Sequence, residues 1–104
     1  MLFRSELIRE RVAASDATRI IVTHGTDTMV ETAAVLRSVP GKTIVLTGAM
    51  QPARIRTSDA FVNIGFAFAA VQLLPPGAYV AMNGRVFTSD RARKNIGLSR
   101  FEHQ

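Results

Sequence analysis

Three short runs of apolar and β-branched residues decide what this chain can fold into. They are Thr18–Thr23 (TRIIVT), Lys42–Thr47 (KTIVLT) and Ala78–Met82 (AYVAM). Each reads as a short buried strand, because such side chains suit a pleated, enclosed surface. Helical patterns separate them. Thr28-Met29-Val30-Glu31 fits a capping box, with a hydroxyl at the N-cap and a carboxylate three residues on. The helix it opens carries Val30, Ala33, Ala34 and Leu36 and stops before Pro40-Gly41. Gly48–Thr57 reads as a loop. A longer helix follows from about Asp59 to Leu74, apolar on more than one face and therefore expected to be well buried. Ahead of the first strand, Phe3, Leu7, Ile8 and Val12 share one helix stripe that ends near Ser15-Asp16. Strands that alternate with helices predict βαβ units: a three-layer α/β fold with a mostly parallel sheet flanked by helices. The chain shows no internal repeat, low-complexity tract or linker.

A chain of 104 residues suits one small domain. With 47 % hydrophobic and 20 % charged residues it has the composition of a globular protein, which excludes a disordered one. Cysteine is absent, so thiol chemistry is excluded. The opening MLFRSELIRERV lacks the apolar core of a signal peptide. The longest apolar segment, Phe61–Leu74, contains Asn63 and Gln72 and ends at Pro75-Pro76-Gly77, too short to cross a bilayer. No membrane partner is expected, and the cytoplasm is the expected compartment. The net charge of +5 raises the question of nucleic acid. Arg85, Arg91, Arg93, Lys94 and Arg100 crowd the C-terminal part against Asp90 and Glu102, without the interleaved aromatic residues of a base-stacking platform. They read as a solvated basic face, and nucleic acid is not an expected partner.

The chemistry concentrates where strands end. His24-Gly25-Thr26-Asp27, Gly48-Ala49-Met50 and Asn83-Gly84 each follow a strand. In parallel α/β sheets ligands sit at the carboxyl ends of the strands. Taken alone, Thr26 and Asp27 fit two readings: turn residues bonding local backbone, or a hydroxyl and a carboxylate at a site. Thr28 reads as a helix cap and His24 as a hydrogen-bonded structural residue. Lys42 and Lys94 are the only lysines, and arginine does not give up its proton. Proton transfer by a basic side chain therefore falls to one of those two. His24 and His103 have no partners at metal spacing, so no metal is expected.

Read in order, THGTDTMVET, IVLTGAMQP, TSDAFVNIGFA, AYVAMNGRVF and RARKN resemble the bacterial-type L-asparaginases, from about Thr18 to Phe101. HGTDT and GAM-x-P are specific in combination. The resemblance implies a larger α/β domain followed by a smaller one, with residues 1–104 forming part of the larger. The Thr-Gly-Gly-Thr segment that carries the family's first catalytic threonine does not occur in this sequence. Residue by residue, Thr26 matches the family's second threonine, Asp27 its aspartate and Lys94 its lysine. Gly25 and Ala49 match substrate-binding backbone positions, Ala49 beside the substrate amide. Asp59 and Asn63 fall in a family segment and read as structural, a helix start and a buried hydrogen-bonder, with Thr57 and Ser58 as alternative caps.

The implied reaction is hydrolysis of L-asparagine to L-aspartate and ammonia, without a cofactor. A threonine hydroxyl needs a base to act, and a desolvated lysine can serve. Backbone N–H groups after Gly25 and Gly48 can approach a developing oxyanion. The implied partners are L-asparagine and a homo-oligomeric or complementing chain. Two other readings stand beside this one: the ammonia-releasing subunit of a tRNA-dependent amidotransferase, and a non-catalytic remnant that binds a small amino acid. The lone chain is expected not to turn over. It is also expected to self-associate or aggregate, or to be soluble only with a complementing fragment, with the segment bearing Phe61, Ile64, Phe66 and Phe68 most at risk of exposure.

Overall fold

The computed structural model describes residues 4–50, 58–95 and 100–103. Among the described residues, three helices and six strands run in the order α1 (Arg4–Ala14), β1 (Arg19–Thr23), α2 (Met29–Leu36), β2 (Thr43–Thr47), α3 (Ala60–Leu73), β3 (Gly77–Met82), β4 (Arg85–Thr88), β5 (Ala92–Asn95) and β6 (Arg100–His103). The main sheet has the order β1-β2-β3-β4. Its first three strands are parallel and β4 is antiparallel. Strands β5 and β6 form a separate antiparallel pair.

Alternation along the strands separates two cores. Ile44 and Leu46 of β2 join Ala78, Val80 and Met82 of β3 on the face covered by α2, with Ala33 and Leu36 above them. Val45, Tyr79 and Ala81 point the other way, against Ala67 and Val71 of α3. The result is the expected three-layer arrangement of helix, mostly parallel sheet and helix. Register aligns the strand ends: Thr23 lies beside Thr47, and Leu46 beside Val80. The segments after β1, β2 and β3 therefore emerge on one edge. The β5–β6 pair is tied to the α2 side of the sheet, where buried Ala92 and Phe101 enter the larger core.

The hairpin of β3 and β4 goes beyond the polar strand end expected at Asn83-Gly84. Both residues have positive φ, 56° and 71°, as a two-residue turn twisted to suit flanking strands requires. Asn-Gly between two apolar runs is itself a strong hairpin signal. Two helix expectations also need correction. The α1 stripe is narrower than expected: Val12 is buried and Ile8 packs on the core, but Leu7 is 47 % exposed. Phe3 lies outside the described residues. Helix α3 is not well buried all round. Its inner face is Ala60, Asn63, Ala67, Ala70 and Val71, while Phe61, Val62, Phe68 and Leu73 are 58–83 % exposed. Small inner side chains let the helix backbone lie close to the sheet, and that turns the large residues outward.

Candidate active site

Strand β1 delivers the chain to the common edge, and the turn from His24 to Thr28 carries it into α2. His24 donates its backbone N–H to the Thr47 carbonyl at 2.9 Å, which extends the parallel pairing one step beyond the strands. Its ring then locks the turn. Nδ1 lies 2.6 Å from the Gly25 carbonyl oxygen, which can only accept, so Nδ1 carries the proton. Nε2 lies 2.9 Å from the hydroxyl of buried Thr32 on α2. His24 is thus the hydrogen-bonded structural residue expected of it. Its partner Thr32 lies eight residues on, and nothing in the sequence marks it.

Thr28 occupies the N-cap of α2, but the capping box does not close: its side chain makes no cap hydrogen bond. The reason is its backbone. A capping side chain reaches back over the first turn from an extended residue, whereas Thr28 has φ −119° and ψ 15°. Only its carbonyl takes part, accepting from Thr32 N–H at 3.1 Å.

The third component comes from β5. Strand alternation sends Arg93 outward, where its guanidinium meets Glu102, and turns Ala92 and Lys94 the other way. Ala92 is buried in the core, and the cross-strand partner of Lys94 is buried Phe101. Lys94 therefore rises beside an apolar wall, with its side chain 17 % exposed. Its Nζ donates to Thr26 Oγ1 at 2.7 Å and to Asp27 Oδ1 at 2.7 Å. The structure thus brings together Thr26, Asp27 and Lys94 across 68 positions of sequence. Asp27 is 90 % exposed at the mouth of this cluster. The hydrogen bond from Lys94, and then its positive charge, hold the Asp27 carboxyl below its ordinary value. A hydroxyl 2.7 Å from an amine, beside a carboxylate, is a short path for moving a proton on or off an attacking oxygen.

Gly25 and Ala49 lie on the same edge. The end of β2 packs so tightly on the end of β1 that a Cβ at Gly48 would collide with the His24 carbonyl oxygen. That close approach places Ala49 next to the His24–Asp27 turn. Asn63 of α3 is fully buried and reaches both neighbouring strand ends. Its Nδ2 donates to Gly48 O at 2.9 Å, and its Oδ1 accepts from Asn83 N–H at 2.9 Å. Asp59 stands at the N-cap of α3 without a side-chain cap bond. Its Oδ2 instead accepts from Met50 N–H and from Asn63 Nδ2, each at 3.0 Å. Ser58 Oγ accepts from Ala60 N–H at 3.2 Å, so of the expected alternative caps Ser58 forms a local turn. Thr57 lies outside the described residues. Several members of the basic crowd have partners on the surface: Arg93 and Arg100 converge on Glu102, and Arg85 lies over the Phe87 ring. Among the described residues no three His, Asp or Glu side chains gather as a metal would require.

A family model described as the asparaginase N-terminal domain matches residues 3–100. The chain belongs to the asparaginase family. It is 35 % identical over 88 residues to the L-asparaginase of Thermococcus kodakarensis, covering 80 % of this chain and 27 % of that one. It is 39 % identical over 87 residues to a subunit of the glutamyl-tRNA(Gln) amidotransferase of Methanococcus vannielii, covering 79 % and 20 %. The solved structure of the thermostable L-asparaginase from Thermococcus kodakarensis superposes with a TM-score of 0.84 at 32 % identity, over 98 % of this chain and 34 % of that one. The chain spans between a fifth and about a third of the length of these relatives.

Proposed function

We propose that this asparaginase-family chain contributes Thr26, Asp27 and Lys94 to the hydrolysis of L-asparagine to L-aspartate and ammonia. The observation that carries the reading is the contact of one lysine nitrogen with both Thr26 Oγ1 and Asp27 Oδ1 at 2.7 Å. Lys94 in its neutral amine form takes a proton through Thr26 as an oxygen attacks the amide carbon, and the ammonium so formed returns a proton to the nitrogen as the C–N bond breaks and ammonia leaves. The exposed Asp27 carboxylate offers an acceptor for the ammonium group of the amino acid. Gly25 and Ala49 supply backbone contacts to the substrate. The family resemblance puts the attacking threonine on a Thr-Gly-Gly-Thr segment, which in this reading comes from outside these 104 residues. The cytoplasm remains the compartment proposed.

Ammonia release from L-asparagine tests this in two forms. The 104-residue chain alone is expected to give none above background, because losing one member of a catalytic unit typically costs several orders of magnitude. A chimera that carries residues 3–100 in place of the matching region of the Thermococcus enzyme is expected to be active. A folded chimera without activity would refute the proposal. Release by the lone chain, abolished by Thr26→Ala, would make Thr26 itself the nucleophile. The Methanococcus relative favours a second reading, an ammonia-releasing component beside tRNA. Ammonia release that requires aminoacylated tRNA would select it.

The proposal extends to assembly. Helix α3 has no charged residue along its 14 positions in a chain of net charge +5, and it presents Phe61, Val62, Phe68 and Leu73 outward. A second copy can cover that face without opposing charges, with Gly65 and Ala69 on the outer surface allowing close helix approach. Light scattering is expected to show a dimer. A monodisperse monomer with no binding of a hydrophobic dye would refute this.

A further inference from the structure

We propose that Asp59 and Asn63 are positioning residues that fix both peptide groups flanking Ala49 and so aim its backbone into the site. The proposal rests on the asparaginase reading for the meaning of that site.

Two hydrogen bonds set the geometry. Asn63 Nδ2 holds the Gly48 carbonyl, and Asp59 Oδ2 holds the Met50 N–H. The Gly48 carbonyl belongs to the same planar peptide group as the Ala49 N–H. The Met50 N–H belongs to the same group as the Ala49 carbonyl. In a trans peptide the C=O and N–H point in opposite directions, and no peptide bond of the described residues is cis. With the Gly48 carbonyl and the Met50 N–H both drawn toward α3, the Ala49 N–H and the Ala49 carbonyl must both point away from it. The helix on that other side is α2, and the turn that leads into it carries Thr26 and Asp27. Ala49 thus presents a donor and an acceptor together, the pair that matches a primary carboxamide.

The two side chains act as one device. They sit four residues apart, on one face of the first turn of α3, and Asn63 also donates to Asp59, which orients the carboxylate. Asn63 then reaches the third strand end through Asn83 N–H. A residue needed only to start a helix would have its carboxylate on the first-turn amides, and Asp59 makes no such cap bond. A residue needed only to fill the core at position 63 would be apolar.

The test compares Asp59→Ala with Asp59→Asn in the full chain, because the amide oxygen of the second keeps both acceptor roles. Amide hydrogen exchange is read by NMR at Met50 and, as a control within the core, at Val45. Asp59→Ala is expected to speed exchange at Met50 by about tenfold or more, the loss of one hydrogen bond. Val45 should be unchanged, and Asp59→Asn should restore the unaltered rate. L-Asparagine, which the lone chain is not expected to turn over, is then titrated into each protein. In the unaltered chain and in Asp59→Asn, the Ala49, Thr26 and Asp27 amides should all shift. In Asp59→Ala the Ala49 shift should be lost and affinity should fall about tenfold, with Thr26 and Asp27 still responding. Unchanged exchange at Met50, or an unchanged Ala49 response in Asp59→Ala, would overturn the proposal. No response at Thr26 or Asp27 in the unaltered chain would sink the asparaginase reading itself. The exchange measurement would still decide whether Asp59 holds the loop.

Discussion

Replacing Lys94 with methionine is expected to lower L-asparagine turnover by the chimera roughly a thousandfold or more, with little change in stability. Methionine keeps the stem beside Phe101 and removes only the nitrogen that bonds Thr26 and Asp27. The stability effect is small because Asp27 is exposed, and ion pairs with an exposed partner contribute little. Activity and stability therefore separate, which distinguishes a role in proton transfer from one in holding the hairpin. The same substitution has a signature that needs no turnover. Lys94 holds the Asp27 carboxyl below its ordinary value of 3.8. A depressed carboxyl contributes stability that is complete above 3.8 and is lost as pH falls through the lower folded value. In Lys94→Met the Asp27 titration followed by NMR should move back up toward 3.8. An unmoved Asp27 titration would mean that the contact is not held in solution. A Lys94→Met chimera with near-full turnover would remove Lys94 from the reaction.

How much of the molecule is legible in its sequence depends on whether the signal is local. Strands β1, β2 and β3 can be read almost to the residue, because a short β-branched run bounded by turn residues carries its own signature. The partnership of Thr26, Asp27 and Lys94 is reached through motifs that resemble a family. Spacing alone does not supply it, since the lysine lies on a different sheet. Strands β5 and β6 escape such a reading because four-residue strands rich in arginine look like a solvated surface. Their pairing is decided by Ala92 and Phe101, which enter a core built by distant residues. The open capping box at Thr28 has a similar origin. The residue types are right, but the backbone angles are set by the tight His24 turn rather than by the helix. The outward phenylalanines of α3 cannot be sorted by periodicity, because nearly every position of that helix is apolar.

Asn63→Leu is expected to cost the fold about 3–5 kcal/mol. Leucine has the same number of side-chain heavy atoms and the same branch point, so the larger part of the loss is one of hydrogen bonds, with a smaller part from overpacking by its bulkier methyl groups. Asn63 is fully buried on α3 and serves Gly48 O, Asp59 Oδ2 and Asn83 N–H together. Its removal takes the side-chain partner from Asn83 N–H at a turn with positive φ, where the backbone has little freedom to find another. It also strips one donor from a carboxylate. For a domain of this length total stability is on the order of 5–15 kcal/mol, so the variant should sit near the edge of folding in chemical denaturation. Asn63→Asp tests the mechanism more sharply. Its oxygen still accepts from Asn83, but a second oxygen now faces Gly48 O and the Asp59 carboxylate, where a donor stood. Near neutral pH these groups repel. When the introduced carboxyl is protonated it can donate again, so its pKa is raised in the folded state and the variant should regain stability as pH falls toward about 4. Asn63→Leu has no such group and should show no comparable recovery. Equal loss at every pH in both variants would mean that position 63 matters only as filled volume, and that the strand ends are held without it.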